Sequence, residues 1–597
     1  MNNFLLIYSK EELEVYTSKI ENELDSWYQQ DNIHSIKSLP KPKGNRLPQE
    51  SLLIGIEAEN CLVDIYPDKS IFICGDPYKM EPESLENIPG IMGNHSSREI
   101  YGKVGGAYSW FSIDSKEKSI EINTDFFGQL PVYYFNDDQV FAASTSISLL
   151  LETIPNISRN IDMDLLLEFI ATGAISSDYY KTFFISLNRI KGYRRLNYSI
   201  NTDKINIIET SSLDDFRDLT FDFSSRKLKE DLDLVMKAVC YQKKSAYTLS
   251  GGVDSTLLAA VGASISSVPI ECYTASTGYG NDLKFSKKAA EYMNAQLHEV
   301  KLDYDVKILK YIEQITKVYG APVSIWGNTV GSPLISEMAR DDGAEIIIHG
   351  SAEDHVVGGV YGLTIYNYIH FYIKAKQWKK LIELLRFNAQ RKIVSFRKVI
   401  VESLKTIFKC ENTDTDFFYK LRGKDFSSFF IPQVQKQRDA LRVNDICFIS
   451  PENRVKYYML GRMQKFVSQS YFSGIASNLN VRIPFLDNRL IKYMDLDESI
   501  LFSGTYSKQF ARESMHGIMD NDVIYRKDNE GLRWRSTVLL KQNKESMIKE
   551  IENSPLLNKI LSKKTLDSLN NKMFRKSLLL SLYSVALFDK EFKPTWE

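Results

Sequence analysis

The sequence has few cysteines, almost no net charge and no long apolar run, and each of these features excludes a class of protein. The six cysteines in 597 residues are dispersed without a CxxC pair or a histidine cluster, which argues against a disulfide framework and a structural zinc site. A net charge of −1 gives no electrostatic basis for binding nucleic acid. The longest apolar stretch, 577–588, is too short to span a bilayer, and no signal peptide opens the chain. We therefore expect a cytoplasmic protein without a transmembrane segment.

A Walker-type phosphate loop is also missing, since no GxxxxGK(S/T) occurs. In its place, the hexapeptide SGGVDS at 250–255 lies between an apolar strand and an apolar helix. Adjacent glycines let the backbone turn tightly and aim its N–H groups at an anion, and the helix adds its positive end. Ser250 and Ser255 add hydroxyls, and Asp254 adds the charge that a phosphate-bridging Mg²⁺ requires. The hexapeptide predicts a phosphate cradle.

The pattern of short elements changes along the chain, which is long enough for two or more cores. Up to about residue 210, alternating segments such as 107–113 predict antiparallel strands. From about residue 230, strands alternate with amphipathic helices, which predicts a parallel α/β sheet that binds ligands at the carboxyl ends of its strands. The polar stretch 211–222 is the predicted linker, and the last third is predicted to be mainly helical.

The hexapeptide SGGVDS resembles the pyrophosphate loop of ATP pyrophosphatases. Together with other segments, it makes nearly the whole chain similar to asparagine synthetases and their relatives. The segments that carry this resemblance are IIIHGSAEDHVVGG at 346–359, VRIPFLD at 481–487, SKQFAR at 507–512, YRK at 525–527, DFFGQLPVYY at 125–134 and FAAS at 141–144. The fold class implied is α/β, or α+β with two domains. Residues 1–215 would form a degenerate amidotransferase-like β-sandwich of the N-terminal-nucleophile type. Residues 225–597 would form a pyrophosphatase-loop synthetase domain with a parallel sheet and a helical C-terminal part.

The resemblance also implies cofactors and site residues. ATP and Mg²⁺ would be the cofactors, with the metal on Asp254 and Asp354. The residues implied in nucleotide binding are Leu249, Ser250, Gly251, Gly252, Asp254, Ser255, Thr274, Gly350 and Lys508, with Arg512 as a second candidate beside Lys508. Lys527 would stabilise the oxyanion of the amide-forming step. Glu353 and His355 are the candidate general bases; alternatively, His355 only orients Asp354 and Glu353 faces solvent.

Two departures from the asparagine-forming enzymes alter the expected chemistry. Amidotransferases of this class carry a nucleophilic cysteine at position 2, where this sequence has Asn2, and no cysteine precedes Cys61. Ser351 replaces the glutamate that handles ammonia in asparagine-forming enzymes, while Ala352 and His355 replace a glycine and a glutamate. We therefore expect no glutaminase activity, and an amine other than ammonia as the nucleophile.

Relatives that keep adenylation without the cysteine include β-lactam synthetase, carbapenam synthetase and the lasso peptide cyclases. The pair Asp354-His355 resembles the lasso cyclases. The function implied is an ATP-dependent cyclase of antibiotic biosynthesis on ribosomally made peptides. It would adenylate an Asp or Glu side chain of a core peptide and join it to the N-terminal amine as a macrolactam. A leader peptidase, a leader-recognition protein and an exporter are the implied partners, and we expect a roomy cavity. The alternatives are a small-molecule amide ligase similar to β-lactam synthetase and a non-catalytic nucleotide-binding scaffold.

The region 370–410 is rich in lysine and arginine. Trp378, Leu381, Ile382 and Leu385 recur there at helical spacing, which predicts a basic amphipathic helix. Two interpretations stay open at this point. The helix is either a solvated face over the core or a surface for an acidic partner, the precursor peptide or a membrane.

Overall fold

The structure is a computed structural model. It describes residues 3–9, 52–57, 62–65, 69–173, 181–216, 223–278, 282–302, 306–325, 327–358, 362–391, 395–407, 429–434, 470–496, 498–501, 506, 508–526, 536–571 and 574–596. Its strands are β1 Asn3–Ser9, β2 Leu52–Glu57, β3 Leu62–Ile65, β4 Lys69–Lys79, β5 Val104–Asp114, β6 Ser119–Thr124, β7 Tyr133–Asn136, β8 Val140–Ser144, β9 Asn188–Arg189, β10 Arg194–Ser199, β11 Lys204–Glu209, β12 Ser245–Thr248, β13 Glu271–Ser276, β14 Gln296–Lys301, β15 Ile346–Ile348 and β16 Asn480–Arg482.

The α-helices cover both the first part of the chain and most of the C-terminal part. Their bounds are Ile88–Asn94, Ser97–Lys103, Ile147–Thr153, Met163–Thr172, Ser225–Val239, Val253–Ile265, Asp282–Tyr292, Val306–Tyr319, Gly327–Asp341, Gly362–Lys374, Trp378–Arg391, Phe396–Ile407, Glu498–Leu501, Gln509–Glu513, Asn521–Ile524, Ser536–Asn553, Pro555–Ile560, Lys563–Ser568 and Lys576–Phe592. Shorter 3₁₀ turns lie at Leu213–Phe216, Pro484–Leu486 and Asn488–Asp495, and a π-helical turn lies at Asp354–Gly358. Among the helices so described, none combines the length and the apolarity needed to cross a membrane.

Two antiparallel sheets form the first part of the molecule. Their strand orders are β2-β1-β8-β7-β9 and β11-β10-β6-β5-β4-β3. Alternate side chains of β1 face opposite ways: Phe4 and Leu6 lie in the core between the sheets, whereas Leu5 and Ile7 join the larger core that includes the helices. The ring of Phe4 lies 4.8 Å from that of Phe111 in the other sheet. The predicted β-sandwich is therefore confirmed.

The third sheet is parallel throughout and has the order β14-β13-β12-β15-β16. Its interior strand β15 consists of three buried isoleucines, as expected for a strand with both faces covered. The loops that follow β12, β13 and β15 emerge at one edge, the carboxyl edge of the sheet. This confirms the predicted α/β class, with a mainly helical C-terminal part. The domain boundaries at 215 and 225 stay a prediction.

A buried ion pair joins the sandwich to the parallel sheet. Arg482, at the end of β16, donates from Nε to Asp76 Oδ2 at 2.6 Å and from Nη2 to Asp76 Oδ1 at 2.8 Å. Close by, the hydroxyl of Tyr78 donates to Asp487 Oδ2 at 2.9 Å. The segment VRIPFLD, which carries part of the family resemblance, thus lies at the contact between the two parts of the molecule.

The basic region predicted as one amphipathic helix is three helices, 362–374, 378–391 and 396–407, with a small apolar core of their own. Leu381 belongs to this core, but the helical spacing does not put all four apolar residues on one buried face. Trp378 and Ile382 are 53% and 50% exposed.

Candidate active site

The hexapeptide forms an open helix N-terminus at the carboxyl end of β12. Gly251 has φ +73°, a conformation that favours glycine, and Gly252 caps the helix Val253–Ile265 without any side-chain hydrogen bond to its first turn. The hydroxyls of Ser250 and Ser255 lie 2.9 Å apart, and Ser255 Oγ accepts from the backbone N–H of Ser250 at 3.0 Å. The N–H of Gly252 donates to Ser250 Oγ at 3.3 Å within the loop. The loop places these N–H and hydroxyl groups at the positive end of a helix, as a phosphate cradle requires.

Two close approaches fix this loop. A Cβ on Gly350 would meet the backbone nitrogen of Ser255 at 2.8 Å, so only glycine lets the loop after β15 pass so near the helix start. On the other side, Arg526 Nη1 donates to the carbonyl of Gly251 at 2.6 Å, and its guanidinium is paired with Asp282. The loops that carry Asp254 and Asp354 are thereby brought together.

Three carboxylates converge where these loops meet. One oxygen each of Asp254, Glu353 and Asp354 lies within 4.8 Å of the others. Lys508 Nζ stands among them, 2.7 Å from Glu353 Oε2, 2.5 Å from Asp354 Oδ1 and in an ion pair with Asp254. Glu353 is fully buried, so the alternative that it faces solvent is wrong.

Burial and crowding set the electrostatics of this carboxylate cluster. Burial raises the pKa of Glu353 well above its usual value, and Lys508 opposes the rise. Burial also raises the pKa of Asp254, with Lys508 lowering it and Asp354 raising it further. Burial alone would lower the pKa of Lys508, but the three acidic neighbours raise it well above its usual value. The three neighbouring acidic side chains therefore favour the binding of a further cation.

The donor set of the cluster fits Mg²⁺. Carboxylate oxygens are the hard ligands that Mg²⁺ prefers, and it is commonly bound by one or two of them together with substrate phosphates. Asp254 and Asp354 would hold the ion beside the cradle, as the resemblance implies, and Glu353 adds a third carboxylate that was predicted only as a base.

A cavity of about 380 Å³ opens beside the cradle and the cluster. Of the predicted site residues it is lined by Leu249, Ser250, Gly252, Asp254, Ser255, Thr274, Gly350, Asp354 and His355. Gly251, Glu353 and Lys508 are not part of this lining, but Lys508 pairs with Asp254 and Asp354, which are. Lys527 lies outside the described residues. The cavity has the size of a small-molecule site, roughly 300–1,000 Å³. The expected roomy peptide cavity stays a prediction.

Apart from Ser351, sequence reasoning missed a second group of cavity residues. His349, at the end of β15, lies with Ser332, Ser351 and Ser470 on the cavity wall. Ser351 Oγ is 2.8 Å from His349 Nδ1 and 2.9 Å from Ser470 Oγ. A polar side chain directly after three buried isoleucines was a signal for His349, whereas nothing local pointed to Ser470.

Known protein families and structures show similarity to this chain. Residues 233–589, more than half of the chain, match the family described as Asparagine synthase. A protein of Methanocaldococcus jannaschii, named as an asparagine synthetase of the glutamine-hydrolysing type, is 25% identical over 263 residues. That match covers 43% of this chain and 45% of the relative, so the chain spans under half the length of that protein.

Two solved structures were also matched. One is the glutamine phosphoribosylpyrophosphate amidotransferase of B. subtilis, with 9% identity, a TM-score of 0.22 and coverage of 60% of this chain and 83% of that chain. The other is an allosteric regulatory enzyme of purine biosynthesis, with 8% identity, a TM-score of 0.22 and coverage of 50% and 80%. Scores this low support no inference.

Proposed function

The chain belongs to the asparagine synthase family, and from this premise we propose that it is an ATP-dependent, AMP-forming amide ligase of the lasso peptide cyclase type. It would activate an Asp or Glu side-chain carboxylate of a core peptide and join it to that peptide's N-terminal amine. The observation that carries the ligase proposal is the carboxylate cluster with Lys508, set against the open cradle of residues 250–255.

The first half-reaction needs phosphates held in place while charge builds on the leaving group. The backbone N–H groups of Gly251 and Gly252 and the helix behind them would grip the outer phosphates. Lys508 would neutralise pyrophosphate oxygens. Mg²⁺, when bound by Asp254 and Asp354, supplies positive charge that polarises the phosphates and orients the leaving group. The substrate carboxylate then attacks the α-phosphorus, and pyrophosphate leaves.

The second half-reaction needs an amine. At position 351 the serine hydroxyl carries no charge with which to attract ammonium, and its contacts are His349 and Ser470. No cysteine occurs among residues 1–60 to release ammonia from glutamine. Both features support an amine that is already part of the substrate, as in ring closure. The Asp354-His355 pair favours a peptide ring. A leader peptidase, a recognition protein and an exporter are the partners this proposal implies, in a cytoplasmic setting.

One observation favours a second candidate, a small-molecule amide ligase similar to β-lactam synthetase. A cavity of about 380 Å³ holds a nucleotide and a compact acyl group more readily than a folded peptide. A non-catalytic scaffold is disfavoured, because Lys508 offers one positive charge to three acidic side chains, and a second cation or a reaction would use the negative charge that remains.

A substrate screen tests these alternatives. Purified protein with Mg²⁺ and ATP would be given L-aspartate, L-glutamate, small β-amino acids and synthetic peptides with one internal Asp or Glu. ATP–pyrophosphate exchange and AMP would be measured, and products examined by mass spectrometry. Loss of one water from a peptide, with AMP formed, supports the cyclase; dehydration only of small acids supports the second candidate. Formation of ADP, or no exchange with any carboxylate, contradicts both.

A matched pair of variants ties the activity to the site. Asp254→Asn removes a carboxylate of the cluster and is expected to abolish exchange. Asp233→Asn makes the same change on the helix Ser225–Val239, where Asp233 pairs with Lys229 at 2.7 Å, and is expected to retain it. Equal activity of the two variants would contradict the placement of the site.

A further inference from the structure

His349 and three serines form a connected polar row on the cavity wall. Ser351 Oγ lies 2.8 Å from His349 Nδ1 and donates to Ser470 Oγ at 2.9 Å, and Ser332 Oγ lies 3.5 Å from His349 Nε2. The backbone N–H of His349 donates to the carbonyl of Arg482 at 2.9 Å, which ties the residue to the neighbouring strand. The imidazole is thus held from its backbone and from Nδ1, in a cavity that also contains Asp254 and Asp354.

The hydrogen bonds of this row define the tautomer of His349. A serine hydroxyl has one proton, and Ser351 donates its proton to Ser470. His349 Nδ1 must therefore carry the hydrogen that lies between it and Ser351, which leaves the lone pair on Nε2. The contact between Nε2 and Ser332 is at the outer limit of a hydrogen bond, so a closer donor would displace it. Burial lowers the pKa of His349 to about 4, which keeps the imidazole neutral at neutral pH.

The geometry points to His349 Nε2 as the proton acceptor of the amide-forming step, with Ser351 and Ser470 as positioning residues that hold its tautomer. This inference rests on the proposed function. The amine nitrogen forms a bond to the acyl carbon, the bond from that carbon to the adenylate oxygen breaks, and AMP leaves with the electron pair. The proton released by the amine passes to Nε2. A weak base suffices because the nitrogen becomes strongly acidic once it is bonded to the acyl carbon.

Of the two bases predicted from the sequence, His355 lines the same cavity, whereas Glu353 is placed less well for this role. Glu353 is fully buried, and its carboxylate is held by Lys508 at 2.7 Å, so it serves the charge balance of the cluster. Ser351 cannot replace the glutamate of the asparagine-forming enzymes as a base, but it reaches an imidazole. In this proposal the base is the imidazole of His349 instead of a side chain at position 351.

The test separates the two half-reactions in the whole protein, with the carboxylate that supports exchange in the screen as the probe. His349→Gln is expected to keep ATP–pyrophosphate exchange within about twofold of wild type while amide formation falls by roughly 10²–10⁴-fold. His95→Gln, a change at an ion-paired histidine of the sandwich, is the matched control and should alter neither. Hydroxylamine added as nucleophile should restore acyl transfer in His349→Gln, because it is largely unprotonated at neutral pH.

Ser351→Ala provides a second variant with the imidazole intact. It is expected to lower amide formation by about tenfold at unchanged KM for ATP, because the tautomer is no longer held. Amide formation at the wild-type rate in His349→Gln overturns the inference. Loss of exchange and of hydroxamate together with amide assigns His349 a structural role instead, and likewise overturns it. Absence of exchange in the wild type refutes the proposed function itself, and the assigned role with it.

Discussion

The ion pair between Arg482 and Asp76 predicts a large effect on stability from a residue that touches neither nucleotide nor metal. The side chains of Arg482 and Asp76 are 5% and 11% exposed, and the pair is bidentate. Arg482 also donates to the carbonyl of Val239 and lies 5.2 Å from the ring centre of Tyr78. Arg482→Met would leave the Asp76 carboxylate buried without its partner. Breaking such a pair costs about 3–5 kcal/mol, so we expect a loss of this size in the free energy of unfolding.

The assay is urea unfolding followed by circular dichroism and tryptophan fluorescence, with a matched substitution at the surface. Arg194→Met breaks the pair of Arg194 with Glu209, whose side chains are 30% and 56% exposed, and is expected to cost at most about 1 kcal/mol. The double variant Asp76→Leu/Arg482→Met removes both buried charges and should be more stable than Arg482→Met alone. If Arg482→Met and Arg194→Met lose similar free energies, or if the double variant loses the sum of the two single losses, the reasoning is refuted.

Four further predictions concern the site and the turn of the sandwich. Gly251→Ala should lower the free energy of unfolding by about 1–3 kcal/mol and abolish ATP–pyrophosphate exchange. The reason is that Gly251 has φ +73° and that a Cβ there would meet the carbonyl oxygen of Asp282 at 2.6 Å. Gly252→Ala, with an ordinary φ and a nearest contact of 3.3 Å, is the milder control in urea unfolding and in the exchange assay. Lys508→Met should abolish ATP–pyrophosphate exchange. It should also enlarge the rise in melting temperature that Mg²⁺ produces, because the ammonium no longer competes with the ion for the three carboxylates. Equal rises in the variant and in the wild type would contradict this. Ala352→Gly should stabilise the protein by about 1 kcal/mol in urea unfolding, since Ala352 has φ +73°, and a loss of stability would contradict this. Asp125→Ala should lower the free energy of unfolding by about 1–3 kcal/mol, because the buried carboxylate accepts from three backbone N–H groups of the following turn; a loss below 0.5 kcal/mol would contradict this.

Local sequence predicted what depends on local geometry. The cradle at 250–255 and the carboxylate of Asp354 follow buried strands directly, so the parallel sheet alone brings them to one edge. The missed features depend on residues far apart in the chain: Ser351 and Ser470 are 119 positions apart, and Asp76 and Arg482 are 406 apart. The alternation of apolar and polar residues identifies a strand, but it does not reveal which residue 406 positions later the strand will contact. Packing decides which residues meet, and it also decides that the acidic side chain of Glu353 is buried rather than exposed.

The loop after β15 combines backbone features that position the carboxylate cluster with a side chain, Ser351, that contacts His349. Its backbone keeps two glycine-dependent features: Gly350 passes within contact of Ser255, and Ala352 adopts a left-handed conformation although a glycine would adopt it with less strain. These features place Asp354 and Glu353 beside Asp254 and Lys508, which is what adenylation needs. The uncharged side chain of Ser351, in the same loop, contacts His349. In the proposed ligase, a substitution at position 351 would therefore affect the amine half of the reaction and leave the phosphate half unchanged.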